Sequence, residues 1–174
     1  MTYIEIENGT LSNYESVTML RNSSTDSAAA TGDKLALDAS LSLYGSESYS
    51  VSSGVVTLPS GSYYMLRGMP AAYYSNVATM NSAKLTYQFY DEGASAYIGR
   101  RGTLVWQEAR HLTQGDEVAL ALIDASSSSQ TISLKLTDVG VSGSYTMTLD
   151  PSSTTYTYYT YSGYSRVEIW RFNA

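Results

Sequence analysis

Apolar and polar residues alternate along most of this chain. In residues 34–44 every second residue is apolar and most of the residues between are polar, and residues 132–137 repeat the pattern. A strand with one buried face and one solvated face produces such alternation. In residues 118–123 both alternating sets are apolar, which predicts a strand that is buried on both faces. The apolar set of the first segment comprises Leu35, Leu37, Ala39, Leu41 and Leu43.

Turn-forming residues divide the alternating pattern into short pieces. Gly, Asn, Asp and Pro recur between the candidate strands at a spacing that is typical of a β-sandwich or barrel. No long stretch shows the 3.6-residue period of a helix, so we predict one all-β domain over residues 1–174. Further strands are expected at residues 2–7, 16–20, 55–58, 62–68, 83–90, 97–108, 144–149, 155–161 and 165–172.

Composition and charge narrow the range of functions. Charged residues make up 15% of the chain, which also has 17 tyrosines, no cysteine and a net charge of −6. Binding to the nucleic-acid backbone requires clustered Lys and Arg, so no nucleic-acid partner is expected. The amino terminus lacks the basic and apolar regions of a secretory signal. The longest apolar run, residues 118–123, is too short to insert in a membrane.

The residues that carry most enzyme chemistry are scarce. His111 is the only histidine, and no nucleophile elbow, phosphate-binding loop or zinc-protease motif occurs. We therefore expect no enzyme, no catalytic residue, no cofactor and no metal. A calcium site made by Asp91, Glu92 and Asp116 is an open alternative, because calcium prefers oxygen ligands.

Tyrosines are concentrated near the end of the chain. A tyrosine ring offers a flat apolar surface with one hydroxyl, which suits protein interfaces and sugar stacking as well as a core. The sequence leaves all three interpretations open. We assign Tyr158 to a possible subunit interface and place a possible glycan or receptor surface at Tyr159, Tyr161, Tyr164 and Tyr73.

Two motifs resemble a known group of viral domains. Residues 55–64 are VVTLPSGSYY and residues 167–171 are VEIWR, with MPA at 69–71 and AKL at 83–85 between them. This combination resembles the carboxy-terminal jelly-roll domains of phage fibres and virion decoration proteins. Those domains are similar to the trimeric jelly rolls of tumour necrosis factor and of complement heads. The resemblance implies an antiparallel jelly-roll β-sandwich, tumour necrosis factor-like, that assembles as a homotrimer.

A trimer requires a surface that a neighbouring copy can cover. The strands at residues 62–68 and 83–90 carry large residues on both faces, which favours cover on both sides. The predicted subunit interface comprises Tyr64, Leu66, Tyr87, Phe89, Tyr158 and Trp170.

The expected function is that of a bacteriophage virion structural protein. Neither coiled-coil heptads nor collagen-like repeats precede the domain, which favours a place on the capsid surface over the end of a fibre stalk. The protein would be made in the host cytoplasm and would decorate the shell by binding the major capsid protein. Residues 1–12 form a possible attachment arm or first strand, with Tyr3, Ile4 and Ile6 as contacts. The alternative is a receptor- or glycan-binding module at a tail fibre or tail tip.

Overall fold

The alternating segments of the sequence form antiparallel β-strands. The structure is a computed structural model that describes residues 14–21, 27–70, 72–74, 82–107, 117–141, 147–149, 155–156, 159–160 and 165–174. None of these residues is helical. The strands are β1 Tyr14–Arg21, β2 Ser27–Ala28, β3 Ala39–Tyr44, β4 Ser50–Ser52, β5 Val55–Leu58, β6 Ser62–Met69, β7 Ala72–Tyr74, β8 Ser82–Asp91, β9 Ala96–Gln107, β10 Ala119–Ala125, β11 Gln130–Val141, β12 Met147–Leu149, β13 Thr155–Tyr156, β14 Tyr159–Thr160 and β15 Arg166–Asn173.

Ten of these strands form one sheet that folds over on itself. The strand order is β3-β1-β15-β6-β10-β9-β8-β11-β5-β4, so the first five strands make one layer and the last five make a second. The layers face each other closely: a Cβ added to Gly68 would lie 2.7 Å from a methyl carbon of Leu134 and 2.9 Å from the ring of Phe89. Among the strands of this sheet the chain passes between layers after β3, β5, β6, β9, β10 and β11, which confirms the predicted antiparallel jelly roll.

The core lies between the two layers. Each inner strand contributes alternate residues, because side chains on a strand alternate between its two faces. Two smaller sheets, β2-β12-β7 and β13-β14, complete the described strands. No described helix is long and apolar enough to cross a bilayer. Large side chains that are almost fully buried are Tyr64, Tyr87, Phe89, Leu20, Leu35, Leu58, Leu66, Leu85, Ile132, Leu134 and Leu136.

The segment 34–44 is not the single strand that its alternation predicts. Leu35 and Leu37 are buried beside β11, where the Leu35 amide donates to the Leu134 carbonyl at 2.8 Å. From Ala39 onward the chain forms β3 in the other layer, and there Leu41 and Leu43 are exposed. The segment changes layers at its middle, so one alternating set faces the core in its first half and solvent in its second.

The two motifs of the viral resemblance lie in contact. Gly61, with φ of +88°, turns the chain between β5 and β6, and its amide donates to the Ala125 carbonyl at 2.8 Å. The Tyr64 hydroxyl closes the same turn by donating to the Pro59 carbonyl at 2.9 Å. Arg171 Nε then donates to Ser62 Oγ at 2.8 Å. This bond joins the end of β15 to the start of β6.

Side chains hold the open flank of the roll, where the two edge strands lie. The edges β3 and β4 are consecutive in the chain, and residues 45–49 connect them. Glu47 in this connection forms an ion pair with Arg171. Tyr49 is buried, with its ring centroid 6.2 Å from that of Tyr64, and burial raises the pKa of Tyr49 to about 12. Thr18 Oγ1 also donates to the Glu47 carbonyl at 3.3 Å, so an ion pair, an aromatic contact and a hydrogen bond hold the connection.

The opposite flank is closed by backbone contact at Gly99. This residue has φ of +71°, in the left-handed region that favours glycine. A Cβ there would collide with the Leu120 carbonyl oxygen and would lie 2.8 Å from Ala121 Cα, both in β10. The absence of a side chain lets β9 reach the strand of the other layer.

A carboxylate on the outer face of the second layer connects three segments. Ser133 Oγ donates to Glu92 Oε1 at 2.6 Å, while Lys34 Nζ and Lys135 Nζ lie 3.1 and 3.4 Å from the same oxygen. The hydrogen bond from Ser133, with the two lysines, holds the pKa of Glu92 below its ordinary value. Lys135 Nζ also lies 3.2 Å from the centroid of the Tyr90 ring.

Replacing Gly99 with alanine is expected to destabilise the fold strongly. The substitution adds backbone strain and a collision with β10, for a total of about 3 kcal/mol or more. Gly61→Ala is the matched control, because Gly61 also has positive φ but no atom lies within 4 Å of an added Cβ. Strain alone costs about 1 kcal/mol there. Urea unfolding measures both, and equal losses would contradict the close approach of β9 to β10.

Replacing Glu92 with glutamine is expected to lower the free energy of unfolding by about 1 kcal/mol at neutral pH. The folded-state pKa of Glu92 is lowered, so its stabilisation is complete above the ordinary glutamate pKa of about 4.3. It is lost as the pH falls through the lower pKa of the folded protein. The difference between wild type and Glu92→Gln should therefore shrink below about pH 4.

Asp138→Asn is the control for this pH dependence. Its ion pair with Lys84 is 3.7 Å long and about half exposed on both sides. Such a pair contributes little to stability. A pH-independent difference between wild type and Glu92→Gln, measured by urea unfolding, would contradict the role given to the carboxylate.

Candidate oligomer interface

The outer face of the first layer carries its side chains in aligned rows. Strands β3, β1, β15, β6 and β10 pair in register, so residues directly opposite each other project from the same face. Successive rows are two residues apart along β15, β6 and β10, which is about 6.7 Å. Register shifts add one residue between two rows in β1, between Tyr14 and Val17, and in β3, between Leu41 and Tyr44. We call three of these rows the aromatic level, the apolar level and the ionic level.

The apolar level crosses all five strands without a polar residue. Its members are paired in the order Tyr44, Val17, Trp170, Met65 and Leu122. Tyr44 is 57% exposed and Leu122 is 79% exposed, Trp170 and Met65 are half-buried, and Val17 between Tyr44 and Trp170 is buried. Five strands at about 4.8 Å spacing make this row about 20 Å wide. A continuous apolar row of this width on a sheet face is typical of an interaction surface.

The aromatic level lies on one side of the apolar level. Phe172 in β15 is paired with Tyr14 in β1 and with Tyr63 in β6, and Tyr63 is paired with Asp124 in β10. The Tyr14 ring meets the ring of Tyr44 edge to face at a centroid distance of 5.2 Å. Aromatic side chains therefore extend the apolar surface toward one end of the sheet.

The ionic level lies on the other side of the apolar level. Glu168 in β15 is paired with Arg67 in β6, and Arg67 Nη1 lies 3.4 Å from Glu168 Oε2. Arg166 Nε donates to the other oxygen of Glu168 at 3.1 Å. The remaining members of this row are apolar: Leu41, Met19 and Leu120. Two arginines thus share one carboxylate at the centre of an otherwise apolar row.

Strand β15 divides the VEIWR motif between two environments. Val167 and Ile169 are buried in the core, whereas Glu168 and Trp170 project from the outer face. Arg171 returns to the core side at the end of the sandwich, where it pairs with Glu15 at 3.2 Å and with Glu47. The motif therefore serves both the packing of the sandwich and its outer surface.

Four residues predicted for the subunit interface belong to the core of a single chain. Tyr64, Leu66, Tyr87 and Phe89 are each at most 1% exposed. Their side chains lie between the two layers, so they cannot contact a second copy, and this part of the prediction is wrong. Trp170 is the member of the predicted set that the structure places on the outer face.

The other predicted residues lie mainly outside the described part of the chain. Residues 1–13 are outside it, including Tyr3, Ile4 and Ile6 of the predicted attachment arm, as are Tyr158, Tyr161 and Tyr164. Tyr73 lies in β7 and Tyr159 in β14, whose backbones alone are described. His111 and Asp116 are also outside the described ranges. Among the residues that are described, no three acidic, histidine or cysteine side chains cluster as metal ligands.

Several residues of the outer face were missed at the level of sequence. Leu122 was expected to be buried, because residues 118–123 are apolar in both alternating sets. Only Ala119, Ala121 and Ile123 of this segment fill the core, and Leu122 projects outward. Apolar residues on both faces of this strand therefore indicate that one apolar face remains exposed in the single chain.

The outer face of the second layer has a different character. Tyr90 and Tyr97 meet edge to face at a centroid distance of 5.1 Å beside the Lys34–Glu92–Lys135 cluster. Gln88, on the same face, donates to the Gly99 carbonyl at 2.9 Å. Among the side chains that the structure describes, polar and charged groups therefore cover this part of the second layer, whereas the apolar rows described above lie on the first.

Comparisons with known proteins give a distant structural likeness. No protein-family model matches the sequence, and no curated protein sequence matches it. Among solved structures the chain is similar to that of the Eiger TNF from S. frugiperda, with 7% sequence identity and a TM-score of 0.45. The superposition covers 92% of this chain and 93% of that one. The jelly-roll assignment rests on the strand order described above.

Proposed function

We propose that this protein is a structural component of a virus particle, a jelly roll that assembles as a homotrimer and decorates the surface of a phage capsid. The observation that carries the assembly is the apolar level on the outer face of the first layer. The place in a virion is supported by the two sequence motifs, which the fold brings into contact through Arg171 and Ser62.

Self-assembly follows from the cost of leaving the apolar level in water. Burying a large apolar side chain stabilises an assembly by about 1.5–3 kcal/mol. Leu122 and Tyr44, at the two ends of the level, are mostly exposed in a single chain, so each has this free energy still to gain. A neighbouring copy offers the same apolar surface in return. The number of three copies rests on the resemblance to trimeric jelly rolls.

Decoration of a shell needs a second surface that remains free after assembly. The outer face of the second layer, with its charged cluster and Tyr97, stays open when the first layer is covered. The amino-terminal residues provide the proposed attachment to the major capsid protein, through Tyr3, Ile4 and Ile6. Binding across junctions of the shell would then stabilise the assembled particle by mass action.

The alternative function is recognition of a receptor or glycan at a tail tip. One observation favours it: Tyr97 is 47% exposed and stands against Tyr90 on the free layer. An exposed ring flanked by polar groups can stack on a sugar. Tyr97 is not among the tyrosines 159, 161, 164 and 73 that the sequence suggested.

Replacing Leu122 with aspartate is expected to abolish assembly and leave the fold intact. Leu122 contributes nothing to the core, so the monomer should still unfold in one cooperative transition, at a urea concentration below that of the wild-type trimer because the stabilisation by assembly is lost. Loss of its burial and desolvation of a carboxylate should raise the trimer dissociation constant on the order of 100-fold or more. Sedimentation velocity at micromolar concentration measures the change.

Tyr97→Asp is the matched control for Leu122→Asp. It places the same charge on an exposed aromatic position of the other layer, and the trimer should persist. A wild-type protein that sediments as a monomer at micromolar concentration would overturn the proposed assembly. Equal loss of the trimer in both variants would remove the assignment to the first layer.

Deleting residues 1–10 is expected to abolish binding to purified capsids while the domain still assembles. Co-sedimentation with shells of the parent phage measures binding, and sedimentation velocity checks assembly. Undiminished occupancy of the shell would refute the attachment role. Wild-type protein that ignores shells but binds cell-surface glycans, with binding lost in Tyr97→Ala, would establish the alternative function.

A further inference from the structure

The ionic level places a small cluster of charged side chains within the apolar surface. Arg67 and Arg166 share the single carboxylate of Glu168, which leaves one net positive charge. The side chain of Arg67 is 45% exposed, and its contact with Glu168 is the longer of the two, at 3.4 Å. Arg67 therefore retains N–H donors beyond the one that contacts Glu168, whose own side chain is 15% exposed.

We infer that Arg67 of each copy pairs with Glu168 of the neighbouring copy. This ring of ion pairs determines the height of each subunit, measured along the strand direction, relative to its neighbours. The inference rests on the proposed assembly through the first layer. It adds the specificity of the contact: the partner surface is a second copy of this chain, aligned level with level.

Symmetry determines which levels can meet. Rotation about an axis parallel to the strands leaves every residue at its own height, so the ionic level of one copy faces the ionic level of the next. Arg67 then finds Glu168 across the contact, because the two stand on adjacent strands of the same row. Each copy thus offers both an arginine and a carboxylate in this row, so two copies can exchange ion-pair partners, which favours a second copy as the occupant of the face.

A two-fold axis perpendicular to the strands would give a different pairing. It reverses the order of the levels and sets the ionic level of one copy against the aromatic level of the other. Arg67 would then meet Asp124, which stands at the β10 end of the aromatic level. The two arrangements therefore differ in the carboxylate that Arg67 requires.

The cost of removing the Arg67 charge from water explains why the ionic level determines the position of one subunit along the strands of the next. A shift by one level, about 6.7 Å, would bury Arg67 against the apolar row of Trp170 and Met65. An unpaired charge is costly to remove from water. The apolar level alone would tolerate such a shift, because dispersion and hydrophobic burial are not directional. The arginine thus excludes misaligned assemblies.

The test uses charge reversal at the two positions. Arg67→Glu and Glu168→Arg should each raise the trimer dissociation constant on the order of 100-fold, because like charges then face each other across the contact. An equimolar mixture of the two variants should recover part of the assembly as mixed trimers that neither forms alone, because two of the three contacts then join opposite charges while the third joins like charges. Each variant keeps like charges within its own chain, so rescue by mixing can come only from contacts between copies.

Asp124→Lys is the control that separates the two axes. If the ionic levels of neighbouring copies face each other, Asp124→Lys should remain trimeric. Loss of assembly in Asp124→Lys, together with no rescue in the mixture of charge-reversed variants, would overturn the inference and favour the arrangement in which the ionic level faces the aromatic level. Glu168→Gln, which keeps the shape of the side chain, provides a milder variant should charge reversal prevent folding. It should weaken the trimer while the melting temperature of the monomer falls by only a few degrees.

Failure of the inference is distinguishable from failure of the proposed function. A monomeric wild type refutes the assembly itself. A trimeric wild type whose charge-reversed variants assemble as tightly as it does refutes the ion pairs alone. Sedimentation velocity with one variant fluorescently labelled resolves the mixed trimers from the separate components.

Discussion

The register among β1, β15, β6 and β10 is the constraint on which the rest of the structure depends. Side chains on a strand alternate with a period of two, so pairing decides which residues of distant segments stand side by side. In the observed register Trp170 stands between Val17 and Met65, and the core receives Ile169 and Leu66. A slip of one residue in β15 would turn Trp170 inward and Ile169 outward. Core packing and the outer levels are thus specified together.

The sequence predicted strands correctly where the alternation and the turn residues coincide and each strand stays within one layer. The segment 55–64 is such a case, because Pro59 and Gly61 end one strand and start the next as the pattern indicates. The prediction failed at residues 34–44, where alternation continues while the chain changes layers. Alternation reports which residues share a face locally, and it carries no information on which sheet a strand joins. That choice depends on partners distant in the sequence, such as β11 for Leu35 and β1 for Leu41.

The candidate interface illustrates a second limit of sequence patterns. The alternation along this strand correctly places Tyr64 and Leu66 on one face and Tyr63 and Met65 on the other. Both groups are apolar, so nothing local shows which one faces the opposite layer. The structure resolves the choice through Gly68, on the same face as Tyr64, where the other layer comes too close for any side chain. Trp170 lies in the VEIWR motif, and its neighbours in the apolar level come from strands that only the fold brings together.

The open flank of the roll has a consequence for its motions. Along the flank near Gly99 the layers are joined by backbone approach, whereas the edges β3 and β4 are held by the Glu47–Arg171 pair and the Tyr49–Tyr64 contact. Side-chain contacts of this kind open at a lower free energy than the backbone hydrogen bonds between the inner strands. The two layers would separate transiently at β3 and β4 while β9 and β10 keep them joined on the opposite side. Amide protons of its two outermost strands would exchange with solvent before those of the interior.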